Sequence, residues 1–288
     1  CLFFLVNGGN TTMDATLAFV MANMGQCQPN HIALDPFCGT GGILLACAEF
    51  GSYVTGSEFD WRVLTAQGLN IKLSIACFFI ELFCFKAKPT KANTKNTVRN
   101  PDEMMHRNFS DYGTLNRFLG VVAADFAYPP WRPTFLFDAI ISDPPYGIRE
   151  SSQHKCRRQD DDQEANPEKY DLTSIYVDLL NFANVYLRVG GRLVFWMPTH
   201  IMTYDDSLIP THPCFQLFSN DEQILNRTTS RRLITMVKLR DGNENERAQV
   251  NDKLFSNFRD LYFTPNAKIW EELNSDSVQV KKKRKDNE

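Results

Sequence analysis

The segment Asp35-Pro36-Phe37-Cys38-Gly39-Thr40-Gly41-Gly42 constrains this chain more than any other. It follows the strand-like run His31-Ile32-Ala33-Leu34 and opens residues 43–50, an apolar stretch without Pro or Gly that suits a buried helix. The order is strand, glycine turn, helix. Such a turn lets a ligand approach the backbone, and the helix N-terminus presents unpaired N–H groups to it. Residues 52–57 then read as a second strand ending in Glu58, 19 positions after Gly39. That is close to the ~20 residues at which an acidic side chain grips ribose hydroxyls in nucleotide-binding α/β folds. The pattern predicts an open α/β sheet with a nucleoside ligand at one edge.

The glycines alone do not identify the ligand, and a purely structural turn is the alternative reading of this segment. Asp35 and Pro36 stand where a dinucleotide-binding oxidoreductase keeps the approach apolar. A carboxylate there repels a pyrophosphate and favours the cationic methionyl part of S-adenosylmethionine.

A second loop carries the chemistry. Residues 135–142 form an almost continuous apolar run, as expected of a central parallel strand covered on both faces. Asp143-Pro144-Pro145-Tyr146 follows directly. An exocyclic amine on an aromatic ring is a poor nucleophile, so it must be aimed by acceptors for its two protons. The Asp143 carboxylate and the Pro144 carbonyl serve for this. Consecutive prolines stiffen the backbone and remove competing donors, and Tyr146 offers a flat face for stacking the target ring. The constellation predicts methyl transfer onto a planar amine, with most of the rate coming from alignment.

These two motifs resemble those of amino-group methyltransferases with the Rossmann-like fold. The longer string Ser142-Asp143-Pro144-Pro145-Tyr146-Gly147-Ile148-Arg149-Glu150 is similar to the catalytic subunits of eukaryotic tRNA guanosine N2-methyltransferases acting on position 10. The likeness includes Asn10-Thr11-Thr12-Met13-Asp14, Gly190-Gly191-Arg192-Leu193-Val194, His212-Pro213-Cys214 and residues 229–236, and runs over about residues 7 to 240. It implies a class I, doubly wound, mostly parallel seven-stranded sheet with S-adenosyl-L-methionine as cofactor. Asp35, Gly39 and Gly41 are then expected around its methionine moiety, Phe37 as a further cofactor-binding residue, Thr12 in the segment closing over it, Glu58 on its ribose and Asp125 at its adenine amine. Asp143, Pro144 and Tyr146 are expected to handle the guanine amine. Implied partners are tRNA and a small zinc-binding activator subunit in a heterodimer. We expect that subunit at an edge strand over residues 121–124, beside Phe126, Tyr128 and Trp131. DNA adenine or a protein glutamine amide is the alternative target, since each presents a planar amine; a non-catalytic fragment is the other alternative.

Composition fits one catalytic domain, expected at residues 31–240 after a lead-in at 1–30. The formal net charge of −3, from 31 basic and 34 acidic residues, excludes a chain whose affinity for RNA rests on a broad basic excess. Lys155, Arg157, Arg158, Arg231 and Arg232 read as solvated surface rather than phosphate contacts. The eight cysteines include no CxxC pair, so neither a zinc site nor a disulfide framework is expected, and reduced thiols in the cytoplasm are the simplest reading. Cys38 reads as a loop-packing residue. The family's front region of substrate-binding type is missing, so the chain reads as a fragment. Residues 71–95 are an anomalous insert whose apolar block, 71–85, is shorter than the ~18 residues of a membrane span and is interrupted by Lys72 and Glu81. We read that block, with residues 1–6, as translated non-coding sequence. Residues 241–288 read as a polar tail with a basic end.

Overall fold

The computed structural model describes residues 13–59, 105–146, 172–243 and 245–251. Thr12, the segment 1–6, the insert 71–95, residues 147–150, Lys155, Arg157, Arg158 and the basic end of the chain lie outside the described residues. The described chain forms helix α1 (Ala15–Met24), strand β1 (Ile32–Asp35), helix α2 (Gly42–Glu49), strand β2 (Tyr53–Glu58), helix α3 (Met105–Asp111) and strand β3 (Phe118–Ala123). Strand β4 (Phe137–Ser142), helix α4 (Leu172–Tyr186) and strands β5 (Leu187–His200), β6 (Phe215–Ile224) and β7 (Thr229–Lys238) complete it.

The strands make one sheet in the order β3-β2-β1-β4-β5-β7-β6. β1 to β5 pair in parallel, while β7 runs antiparallel between β5 and β6. This is the expected seven-stranded, doubly wound sheet. The chain direction across the sheet reverses between β1 and β4, and in open α/β sheets the crevice beyond such a reversal is where ligands bind. Both sequence loops leave strands at that crevice.

Two layers of helices explain why β4 is apolar throughout. Ile141 packs with Met21, Leu44 and Phe109 on the face covered by α1, α2 and α3, whereas Ile140 packs with Tyr176, Leu179 and Ala183 of α4 on the other. In α2, every residue from Gly42 to Ala48 is buried. Helix α1 is capped by Asp14, whose side chain accepts the Leu17 N–H at 3.2 Å. Its last turn is met by Arg192, which donates to the Met24 carbonyl at 2.9 Å. Among the described residues no helix is long and apolar enough to cross a membrane.

Two details depart from the sequence expectations. β6 has little apolar patterning to announce it, with burial alternating only weakly along Phe215–Ile224; it forms because β7 supplies a long antiparallel partner. β3 does lie at the sheet edge, but the aromatics beyond it are not a displayed patch. Phe126 packs between Phe37 and Phe182, with ring centroids at 4.6 and 5.1 Å. Trp131 sits edge-on to Phe137 at 5.6 Å, and Tyr128 alone of the three is exposed. Burial of apolar rings outweighs leaving them on an edge.

Lys238, at the end of β7, is 1% exposed. Its Nζ donates to the carbonyls of Asn184 and Leu187, both at 2.7 Å, and pairs with Asp241 at 2.9 Å. The ammonium thereby satisfies carbonyls where α4 ends and β5 begins. Lys238→Met is expected to lower stability by about 3 kcal/mol, since it leaves those groups unpaired; urea denaturation of the two proteins measures it.

Candidate active site

The loop after β1 is held by backbone bonds to β2 and within itself. Cys38 N–H donates to the Ser57 carbonyl at 3.0 Å, the Ser57 hydroxyl donates to the Pro36 carbonyl at 3.1 Å, and Gly41 N–H donates to the Cys38 carbonyl at 2.8 Å. Gly41 caps α2 at φ +83°, and a β-carbon there would stand 2.8 Å from the Met105 side chain. Gly39, at φ +50°, has nothing within 4 Å of the corresponding point among the described residues. The loop is therefore packed beneath Gly41 and open above Gly39. Glu58, at the end of β2, accepts the Gly39 N–H on Oε2 at 3.0 Å, so the acidic side chain marked by its spacing touches the glycine loop itself.

Every strand from β1 to β4 ends in, or is followed within two residues by, a carboxylate: Asp35, Glu58, Asp125 and Asp143. The Ala124 N–H donates to the Glu58 carbonyl at 3.0 Å, which continues the β2–β3 pairing up to Asp125, and Asp125 accepts the Ala127 N–H at 3.0 Å. Asp35 is fully buried. Its Oδ1 accepts both the Phe37 N–H and the Ser142 hydroxyl at 3.0 Å, and its Oδ2 is buried without a partner. That orphaned oxygen and the surrounding acids fit a ligand bearing positive charge.

Burial pushes the Asp35 carboxyl up to about 7; the charges of Asp143 and Glu58 add to this, and its two hydrogen bonds oppose it. Burial, with Asp35 and Glu58 nearby, likewise holds the Cys38 thiol protonated and unfit as a nucleophile. The unfolded chain releases the Asp35 proton near 3.8 and the folded chain near 7. Stability without ligand is therefore expected to fall as pH rises from about 4 to about 7, and to level off above that. Asp35→Asn should remove most of this slope, by an amount on the order of a few kcal/mol, leaving a smaller part from Asp143. Urea melts across that range check it.

The second loop is organised around Asp143. Tyr146 donates its hydroxyl to Asp143 Oδ1 at 2.5 Å, while Arg231 places Nη1 3.5 Å from Oδ2 and 3.3 Å from the Tyr146 oxygen. Burial raises the Asp143 carboxyl above its ordinary value, and the Tyr146 hydrogen bond and Arg231 charge pull it back. Pro144 is buried. The Tyr146 ring packs on the α1–α2 side, and its hydroxyl is engaged with Asp143 and Arg231. Asp143, Pro144 and Tyr146 thus lie beside Asp35, Phe37, Gly39, Gly41, Glu58 and Asp125 at one sheet edge. Thr12 lies outside the described residues, but its neighbour Met13 reaches the same cluster, with Sδ 3.8 Å from Arg231 Nη2.

Sequence reading left both Arg231 and Arg232 on the surface, yet their side chains are only 13% and 16% exposed, and Arg231 is the one that reaches the site. Adjacent residues of a strand face opposite ways, so Arg231-Arg232 in β7 must send one guanidinium to each face. Arg232 stacks over Tyr204 at 3.5 Å and pairs with Glu222, while Arg231 turns inward over Trp196 at 4.2 Å. The alternation was legible; the strand opposite was not.

The fold and site define a methyltransferase domain. Residues 6–159 match the RMKL-like methyltransferase domain family, and the chain belongs to it. Among curated relatives, the tRNA (guanine(10)-N(2))-methyltransferase TRMT11 of Homo sapiens is 43% identical over 244 residues, 81% of this chain and 48% of that protein. The Dictyostelium discoideum protein of the same name is 32% identical over 248 residues, 82% of this chain and 42% of that protein. The chain spans about half the length of the curated relatives it matches. Among solved structures, TrmN from Thermus thermophilus superposes with a TM-score of 0.46 at 18% identity, covering 80% of this chain and 50% of that one.

Proposed function

We propose that this chain is the catalytic part of an enzyme that methylates the exocyclic N2 amine of guanosine at position 10 of tRNA, with S-adenosyl-L-methionine as methyl donor. The observation that carries the reading is the Ser142–Asp35 hydrogen bond, which holds the Asp143-Pro144-Pro145-Tyr146 loop against the glycine loop. An amine aimed by one loop lies beside a ligand seated on the other. The relatives named above support the choice of guanine and tRNA.

The residues fit the donor by charge and by space. The partnerless Asp35 Oδ2 suits the ammonium of the methionyl group, the open ground above Gly39 admits the chain, and Glu58 and Asp125 suit ribose and adenine. Phe37, whose ring packs at a tilt against Phe126, is the apolar side chain of the same loop. Bound there, the group supplies an electrophilic methyl on a sulfonium that becomes a thioether as the new N–C bond forms. Asp143 accepts one amine hydrogen and the Pro144 carbonyl the other, which points the nitrogen lone pair along the line of attack. For this the Tyr146 hydroxyl must leave Oδ1, and the freed ring can then stack on the base. The proton shed by the methylated amine passes to Asp143 or to water.

A small zinc-binding activator as heterodimer partner, and a cytoplasmic location, belong to the same reading. The edge position of β3 supports a docked strand there, with Tyr128 rather than Phe126 as the side chain presented to it.

The test is transfer of label from S-adenosylmethionine into bulk tRNA by the chain co-expressed with such an activator, followed by digestion to nucleosides. Labelled N2-methylguanosine is expected. Asp143→Ala should lower kcat on the order of 100-fold or more while cofactor binding persists. Label in adenine of DNA, or in glutamine of a protein, would transfer the assignment to that amine instead.

A further inference from the structure

Arg231 enters the candidate site from β7, the antiparallel strand, and each edge of its guanidinium has a separate partner. Nε donates to Gln223 Oε1 at 2.7 Å, Nη1 faces Asp143 and Tyr146, Nη2 faces the Met13 sulfur, and the plane lies on Trp196. Its side chain is 13% exposed. A rigid planar fork with a stacked face is something arginine provides and lysine does not. Structural support alone leaves unexplained why the charge is aimed at the carboxylate of the second loop. We propose that Arg231 is a positioning residue for methyl transfer: from β7 it holds Asp143 in its productive orientation and tethers the Tyr146 hydroxyl while that hydroxyl gives up Asp143 to the incoming amine.

The distances suit that task. At 3.5 Å the Arg231–Asp143 contact is an ion pair rather than a short hydrogen bond, and it holds the carboxylate through Oδ2 while Oδ1 is the oxygen that passes from Tyr146 to the amine. At 3.3 Å the guanidinium donates to the Tyr146 oxygen, which directs the phenolic hydrogen onto Asp143. When the amine takes Oδ1, Tyr146 stays tied to Arg231 and its ring moves on a short tether. The positive charge also opposes the effect of burial on Asp143, which favours the ionised, accepting form. Arg231→Met should therefore raise the pH at which Asp143 takes up its proton.

This inference rests on the methyltransferase reading above, and its test separates the two. Arg231→Met keeps an unbranched apolar side chain beside Trp196 and Met13 and removes the guanidinium that touches them, while Arg231→Lys keeps the charge and loses the fork. In the co-expressed preparation, Arg231→Met is expected to lower kcat by roughly tenfold to a hundredfold and to move the acid limb of the kcat/KM profile to higher pH. Arg231→Lys should restore the limb while kcat stays low. Independently, carbon-13 NMR of aspartate-labelled protein, with the Asp143 signal assigned by Asp143→Asn, should show its titration moving up in the Met variant and returning in the Lys variant. An unmoved Asp143 titration in Arg231→Met overturns the proposal, as does wild-type kcat in Arg231→Lys, which decides the matter should the Met variant fail to fold. Wild-type protein that methylates no nucleoside would sink the functional reading alone, and the NMR titration would still decide what Arg231 does to Asp143.

Discussion

The site depends on the carboxylate of Asp35. One of its oxygens takes the Phe37 N–H of its own loop and the Ser142 hydroxyl from the next strand, so two loops separated by more than 100 positions in the chain are fastened across the β1–β4 boundary. A buried carboxylate is costly unless its charge is shared. Here it receives hydrogen bonds on one oxygen only, and the other oxygen is buried without a partner.

Charge at this sheet edge is one-sided by construction. Parallel pairing aligns the carboxyl ends of β1 to β4, and each strand brings an acid to the same place. Their mutual repulsion raises Asp35 further and adds to the burial that keeps the neighbouring Cys38 thiol protonated. The antiparallel strand β7 answers with Arg231, whose residues enter the edge from the opposite direction. The modest net charge of the whole chain conceals this local separation of signs, and the separation, rather than the total, governs which ligands the crevice accepts.

Much of the fold was legible because parallel strands buried on both faces leave nearly unbroken apolar runs, and because glycine and proline mark the turns. Residues 31–34 and 135–142 announced β1 and β4, and the helix expected over 43–50 is α2, shifted by a residue. β6 was not legible, since an edge strand paired on one side can be largely polar. Of the candidate site, the two loops and the spacing of Glu58 were readable because each is local. Arg231 was not, since its inward turn depends on which face of β7 meets Trp196. Phe126 was misread as an edge aromatic, because its position between Phe37 and Phe182 involves three elements distant in sequence.

The amino-acid sequence by itself determined the strand, glycine turn and helix that form the first loop, the stiff Asp143-Pro144-Pro145-Tyr146 turn, and an open α/β sheet, all of which follow from short-range spacing and backbone restriction; the count of seven strands came from the family resemblance. The tertiary structure alone decided that Asp35 binds Ser142, that Tyr146 holds Asp143, and that Arg231 rather than Arg232 faces them. These are contacts across strands, and which side chains meet there is set by register and by the burial of each sheet face, quantities that no local stretch of sequence contains.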